Sequence, residues 1–323
     1  MRQTKHFLTE FGALIVLLVV ITGCSEDAPG PLRVGTNTWP GYEPLYLART
    51  LGRYDDSQVH LVELPSASQV IQGIRSGTLE GGALTLDEAL SLLDDGIALE
   101  VVLVMDYSAG GDMLLTKPEI GSLEDLGGKT IAVETGAVGA ILLNGALGQA
   151  GLTIGDVNLR PCPVDKHVDC YLAVDAVVTF EPAATRLLKL GAKRLFDSRR
   201  IPGQIVDVLV VRQEIATAHA NDIRRLIRGY FEARAHLDAH PDDAARLMAP
   251  RLGVSPDELL ASYEGMELPD LTDNHRILSG TPAPLEETAA TLSALLVSND
   301  LLKREPALQN LAVADYLPAA RPR

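Results

Sequence analysis

Basic residues are scarce in this chain of 323 residues, 28 lysines and arginines against 43 aspartates and glutamates, for a net charge of −15. A surface of that sign has no basic stripe for phosphate backbones, which argues against nucleic acid as a partner. Cysteine is nearly absent, with three in all, too few for a disulfide-built scaffold. Aromatics are few as well: one tryptophan, eight tyrosines and five phenylalanines. The apolar run Ala13–Val20 is too short to cross a bilayer as a mature helix. There is no internal repeat and no low-complexity tract.

Catalytic signatures are missing too. The chain has no G-x-S-x-G elbow and no H-E-x-x-H helix. Gly127-Gly128-Lys129-Thr130 imitates the end of a P-loop, but Leu123 stands where the first glycine is required. Gly136-Ala137-Val138-Gly139 follows a strand and opens a helix without the dinucleotide spacing, although it can still aim backbone N–H groups into a cleft. His236 and His240 have the i, i+4 spacing that suits a metal but no third ligand nearby, and read as solvated surface histidines. His60, His167, His219 and His275 have no local catalytic partner. Cys162, His167 and Cys170 match no standard zinc spacing. Neither a metal nor a cofactor is expected, and neither is enzyme activity.

What the chain does contain begins at its start. Arg2 and Lys5 precede the apolar run, which ends in Ile21-Thr22-Gly23-Cys24. A basic stretch, an apolar stretch and small residues before a cut describe a secretory signal. The cysteine makes it a lipobox, so residues 1–23 are expected to be removed and Cys24 to carry lipid, anchoring an exported protein to the bacterial envelope. Residues 24–31 then form a short polar tether. Cys162 and Cys170 remain, either as a disulfide closing a small loop or as two unpaired thiols.

The densest chemistry lies at residues 37–46, N-T-W-P-G-Y-E-P-L-Y, directly after the strand-like Leu32–Thr36. Loops at the ends of strands in α/β proteins are where ligands bind. Pro40 and Pro44 stiffen this one, Gly41 permits close backbone approach, and Trp39, Tyr42 and Tyr46 are three of the chain's fourteen aromatics. Glu43 adds negative charge. The competing reading is a rigid turn whose aromatics pack on the core.

Strand-like and helix-like segments alternate through most of the remaining chain. Strands are expected at 59–64, 79–84, 99–105, 130–134 and 176–179, with helices at 66–75, 87–93, 136–150 and 182–190. From Asn221, a candidate helix cap, the pattern becomes mostly helical, with a capping box at Ser255-Pro256-Asp257-Glu258 and a last amphipathic helix at Leu285–Leu296. Asp112–Thr116 and Asp207–Val211 each open on an aspartate and continue as an apolar strand, bracketing a self-contained α/β stretch. They are expected to be the two crossovers of a two-lobed clamshell, with the cleft between the lobes as ligand site. One continuous sheet is the alternative.

Four segments then carry a resemblance: G-T-N-T-W-P-G-Y-E-P-L-Y-L-A-R (35–49), S-L-E-D-L-G-G-K-T-I-A-V-E (122–134), V-D-A-V-V-T-F-E-P (174–182) and F-D-S-R-R-I-P-G-Q-I-V-D-V-L-V-V-R (196–212). In this order the chain resembles the substrate-binding lipoproteins of ABC importers, in the nitrate, sulfonate, taurine and thiamine-precursor (NMT1-like) branch. The resemblance implies an α/β, type II periplasmic-binding-protein clamshell with a two-strand hinge at 112–116 and 207–211 and a helical C-terminal part. Lobe one would comprise 32–111 and 212–323, and lobe two 117–206. The protein would act as a monomer, passing a small solute to a permease that a separate ATPase drives. The alternatives are a sensor for a membrane kinase or cyclase and, less favoured, a thiamine-pyrimidine enzyme.

By the same resemblance, ligand contacts would come from Trp39, Pro40, Gly41, Tyr42 and Glu43, from Thr85 and Asp87, and from Glu134, Gly136 and Glu181. Asp106 and Asp112 flank one crossover and Asp207 opens the other. Where anion-binding relatives present hydroxyls, amides and basic groups, these positions carry seven acids and no lysine or arginine. They point to a cationic or amine-bearing solute, unless most of the acids are structural.

Overall fold

The protein's computed structural model describes residues 30–134 and 138–319. The signal segment, Cys24, most of the tether and Gly136 lie outside the described residues. The first β-α units run as the apolar periodicity requires: β1 (Leu32–Thr36), α1 (Glu43–Thr50), β2 (Val59–Glu63), α2 (Ala67–Ser76), β3 (Gly81–Thr85), α3 (Leu86–Asp94) and β4 (Leu99–Ser108). A second group follows with β5 (Asp112–Thr116), β6 (Thr130–Val133), α4 (Gly139–Gln149), β7 (Asn158–Pro161), α5 (His167–Tyr171), β8 (Ala176–Phe180), α6 (Ala183–Lys189) and β9 (Lys193–Asp197). The chain returns with β10 (Val206–Arg212), α7 (Gln213–Ala216), α8 (Ala220–Ala239), α9 (Pro241–Leu252), α10 (Pro256–Ser262), β11 (Met266–Glu267), α11 (Leu271–Leu278) and α12 (Pro284–Ser298).

Two separate mixed sheets result, each the centre of one lobe. The first has the order β11-β4-β10-β3-β1-β2 and the second β7-β6-β8-β5-β9. Strands β3, β5 and β8 are buried along their whole length, which is why they read as unbroken apolar runs rather than alternating ones. In α8 the buried Ile223, Leu226, Ile227, Tyr230, Ala233 and Leu237 recur at helical spacing. The Tyr230 hydroxyl donates to the carbonyl of Met105 at 3.1 Å, fastening α8 to β4. This helix begins one residue before Asn221, which therefore sits in its first turn and not at its cap. Ser255 and Glu258 form the expected reciprocal cap of α10.

The two aspartate-led strands are not the connectors. Asp112–Thr116 is β5, hydrogen-bonded on both sides within the second sheet. Residues 207–211 belong to β10, near the middle of the first sheet between β3 and β4. An apolar run signals burial in a sheet but does not say which sheet takes it. The chain crosses between the sheets at 109–111 and at 198–205. The first crossing is held to the residue before β11: the N–H groups of Ala109 and Gly111 both donate to the Gly265 carbonyl, at 2.8 and 3.0 Å. The hydroxyls of Ser108 and Ser198 lie 2.8 Å apart. Cys170, within α5, forms a disulfide with Cys162 after β7.

Candidate functional site

A cavity of about 30 Å³ lies where the two sheets' strand ends face each other. Space on that scale holds about two water molecules, and side chains of the two lobes meet around it. Its walls include Asn37, Trp39, Tyr42, Ala67, Thr85, Glu88 and Asp207 from the first lobe, and Asp112, Glu134, Val138, Gly139, His167, Val178 and Phe180 from the second.

The tryptophan turn supplies one wall. Trp39 is extended and precedes a single tight turn at Pro40–Tyr42. Its indole N–H donates to Asp106 Oδ2 at 3.1 Å, and its ring meets Phe180 edge-on at 5.6 Å, a favourable quadrupole arrangement. The Tyr42 hydroxyl donates to Asp207 Oδ1 at 2.5 Å. Gly41 is needed for a reason other than ligand approach, because a Cβ there would lie 2.0 Å from Asp106 Oδ2. Pro40 turns its carbonyl to the Tyr263 hydroxyl, 2.9 Å away. Neither Pro40 nor Gly41 lines the cavity.

Glu43 also leaves the site. It is fully buried inside the first lobe, paired with Arg251 of α9. Arg251 reaches Glu63 as well, at 2.9 Å, and lies over the Tyr46 ring at 3.7 Å. Burial pushes the Glu43 carboxyl up to about 7, while its bonds to Arg251 pull the other way. As the first residue of α1, Glu43 faces the core rather than the strand ends. Glu181 departs too: it accepts from the Thr185 N–H at 3.2 Å and lines a separate recess with Arg194 and Arg199.

The remaining acids gather behind and around the indole. Asp106 faces Asp207 across the β4–β10 ladder, and Asp112 opens β5 opposite Phe180. Asp87 and Glu88 occupy the first turn of α3. Asp106 and Asp87 sit behind the cavity surface; Asp112, Asp207 and Glu88 are on it. Burial drives all of them up. Asp106 and Asp112 rise to about 7 and Asp87 to about 6. Asp207 and Glu88 rise well above the usual carboxylate range, with the charges of Asp106 and Asp87 respectively adding to the effect. Among the described lining residues there is no lysine or arginine. Arg234 acts on Asp106 from behind, drawing it slightly down.

His167 was not recognisable as a wall residue from its sequence context. Its Nε2 lies 3.2 Å from the Cys162 carbonyl, which can only accept, so Nε2 carries the proton and Nδ1 accepts from the Thr179 hydroxyl at 3.0 Å. Burial lowers its pKa to about 4, keeping the ring neutral. Ala67 and Glu88 likewise join the cavity without a local motif, whereas Asn37, Val178 and Phe180 lie in segments that carry the resemblance.

Contacts between the lobes surround the cavity. Ser68 donates to Glu134 Oε1 from its N–H at 3.2 Å and its hydroxyl at 2.8 Å. The Val138 N–H donates to Glu88 Oε1 at 3.4 Å. Arg186 donates to the Leu252 carbonyl at 2.9 Å, and Lys189 pairs with Glu258.

Two mixed α/β lobes around an interlobe cavity define the periplasmic-binding-protein class of fold. Solved structures agree. The periplasmic aliphatic sulphonate binding protein of Escherichia coli aligns over 88% of this chain and 97% of its own, with a TM-score of 0.69 at 19% identity. The alkanesulfonate-binding protein of Xanthomonas axonopodis pv. citri aligns over 87% and 97%, at 0.71 and 18%. A model of the NMT1-like family matches residues 26–253, and the chain belongs to that family. The taurine-binding periplasmic protein of Escherichia coli (strain K12) is 26% identical over 281 residues, 83% of this chain and 86% of the relative.

Proposed function

We propose that this protein is the solute-binding component of an ABC importer and that its solute is a small organic cation bearing an amine. The relatives' names support an exported, periplasmic setting, and the transport role is supported by a structural neighbour from Staphylococcus aureus that is the ligand-binding component of an ABC-type import system. The importer's permease and ATPase would be separate chains. Lipid on Cys24 would tether this one to the envelope.

One observation carries the cation: four acids, Glu88, Asp112, Glu134 and Asp207, line an interlobe cavity whose described walls hold no lysine or arginine and only a neutral histidine, His167. Buried carboxylates without a counter-charge cost several kcal/mol or take up protons. The raised pKa values follow the second course. An ammonium group arriving between Asp112 and Asp207 supplies the missing charge, with about 1.5–3 kcal/mol from each charge-assisted hydrogen bond. The faces of Trp39 and Phe180 add about 0.5–2 kcal/mol by cation–π attraction. A sulfonate, the ligand class in the relatives' names, would meet like charge here.

On this reading the cleft would open and close, and a solute touching both walls would favour closure. The test is calorimetry with an amine that stabilises the protein. Asp207→Asn is expected to weaken it by about ten- to a hundredfold, one charge-assisted bond, and Trp39→Ala by about three- to thirtyfold. Unchanged affinity in both variants would remove the cavity as the site.

A further inference from the structure

His167 owes its place on the cavity wall to the loop that carries it. The five-residue α5 is too short to hold itself together, and Pro163, Asp165, Lys166 and Asp169 around it are exposed. Its far end is fastened twice. The Tyr171 hydroxyl donates to the Thr116 carbonyl at 2.9 Å, and Cys170 is bonded to Cys162. Cys162 is itself tied to the second sheet, its N–H donating to the Val133 carbonyl at 3.0 Å. The bridge joins residues eight apart, with His167 inside the loop it closes. There the ring donates from Nε2 to the carbonyl of the same Cys162, and the Thr179 hydroxyl donates to Nδ1. With both nitrogens used, the ring has no donor or acceptor left for a solute and meets the cavity as a neutral, apolar surface. It stands edge-on to Phe180 at 6.4 Å, as Phe180 does to Trp39 at 5.6 Å. The three rings run as a row from the bridged loop to the first lobe.

We propose that the Cys162–Cys170 disulfide is a positioning element of the ligand site, holding His167 in the orientation that completes this aromatic wall. A loop this short removes less entropy from the unfolded chain than a long one. The buried cluster around it, which includes Met113, Leu115, Val177 and Leu187, is held by packing, so the effect of the bridge is local. Once the bridge opens, the ring leaves the Cys162 carbonyl and meets water. Burial holds His167 near 4, against the pull of the Cys162 carbonyl and Asp165, whereas a hydrated imidazole titrates near 6.5. Its cation beside the wall's acids then competes with an incoming ammonium.

The inference rests on the cavity being the ligand site, not on which amine fills it. Trp39 is the chain's one tryptophan and is buried on the wall, so its fluorescence reports the wall directly. The experiment compares the oxidised chain with two bridge-free forms, each checked for fold by far-ultraviolet circular dichroism. One is treated with dithiothreitol, which reduces the bridge to two thiols and is itself oxidised to its cyclic disulfide. The other is the double variant Cys162→Ala with Cys170→Ala. Without the bridge, acrylamide quenching of Trp39 is expected to rise. The His167 signal in nitrogen-15 spectra, assigned by its loss in His167→Phe, is expected to change from a fixed Nε2–H tautomer to a mixture, with its titration midpoint moving up toward about 6.5. Unchanged quenching in a folded, bridge-free chain overturns the proposal, as does an unchanged tautomer. Loss of fold in both bridge-free forms overturns it as well, because the bridge would then carry the whole lobe. If both readouts move while no amine stabilises the oxidised chain, the dependence of the wall on the bridge stands and the cation reading falls. An amine that binds while neither readout moves sinks this inference alone.

Discussion

Glu43 and Asp207 are both buried carboxylates beside the same aromatic turn, and their partners assign them different work. Glu43 has a guanidinium: Arg251 bonds it and stacks on Tyr46. Asp207 has a phenol, Tyr42, and a second carboxylate, Asp106, opposite it in the ladder. The first arrangement has a guanidinium in direct contact and is structural; the second has only Arg234, acting on Asp106 at a distance. Glu43→Gln is therefore expected to cost about 1.5–3 kcal/mol of stability, the worth of a charged hydrogen bond, read as a lower denaturant midpoint, with ligand affinity unchanged. From sequence the two were indistinguishable. The decisive partner of Glu43 stands at position 251, far along the chain, and no local pattern couples them. Asp112 and Asp207 were recognisable because each opens an apolar strand. His167 was not, since a single histidine on a short helix shows nothing of the carbonyl and hydroxyl that fix its tautomer.

At the scale of elements, the β-α alternation was legible because each unit buries its own apolar face, and strand positions agree with the apolar runs to within a few residues. Sheet membership was not legible. β5 and β10 have the same pattern, and which sheet receives each depends on long-range pairing. The consequence is topological: the chain passes between the sheets at the short crossings 109–111 and 198–205, not within the strands. Gly111 sits where crossing and site touch. A Cβ on it would lie 2.7 Å from the Trp39 ring and 3.1 Å from the Gly265 carbonyl, closer than side chains pack without shifting. Gly111→Ala is expected to displace the indole and weaken ligand binding by about tenfold, while the overpacking costs about 1–3 kcal/mol of stability. Calorimetry and thermal melts separate the two effects. A variant with wild-type affinity would show that the crossing and the tryptophan move independently.

For the whole molecule, the acid cluster makes stability depend on pH. Free carboxylates titrate near 4, whereas Asp87 is held near 6 and Asp106 and Asp112 near 7. Between about pH 4 and 7 the folded state thus binds more protons than the unfolded one, and stability falls as pH rises through that window. His167, held near 4, works in the opposite sense between about 4 and 6.5, but it is one group against several. The unliganded protein is expected to melt at a lower temperature at pH 7.5 than at pH 5.5. A bound cation displaces those protons, so its affinity rises over the same interval, measurable by calorimetry in buffers of different ionisation enthalpy. A flat melting profile would mean that the acids are already compensated.

The most direct measurement is a thermal-shift comparison of small amines with small sulfonates on the processed chain at neutral pH, since a ligand saturating the folded state raises its stability by RT ln(1 + [L]/Kd). The arrangement of Asp112, Asp207 and Trp39 predicts that at least one organic amine raises the melting temperature in a concentration-dependent way and that aliphatic sulfonates without an amine do not. Stabilisation by such a sulfonate, with none by any amine, would contradict it.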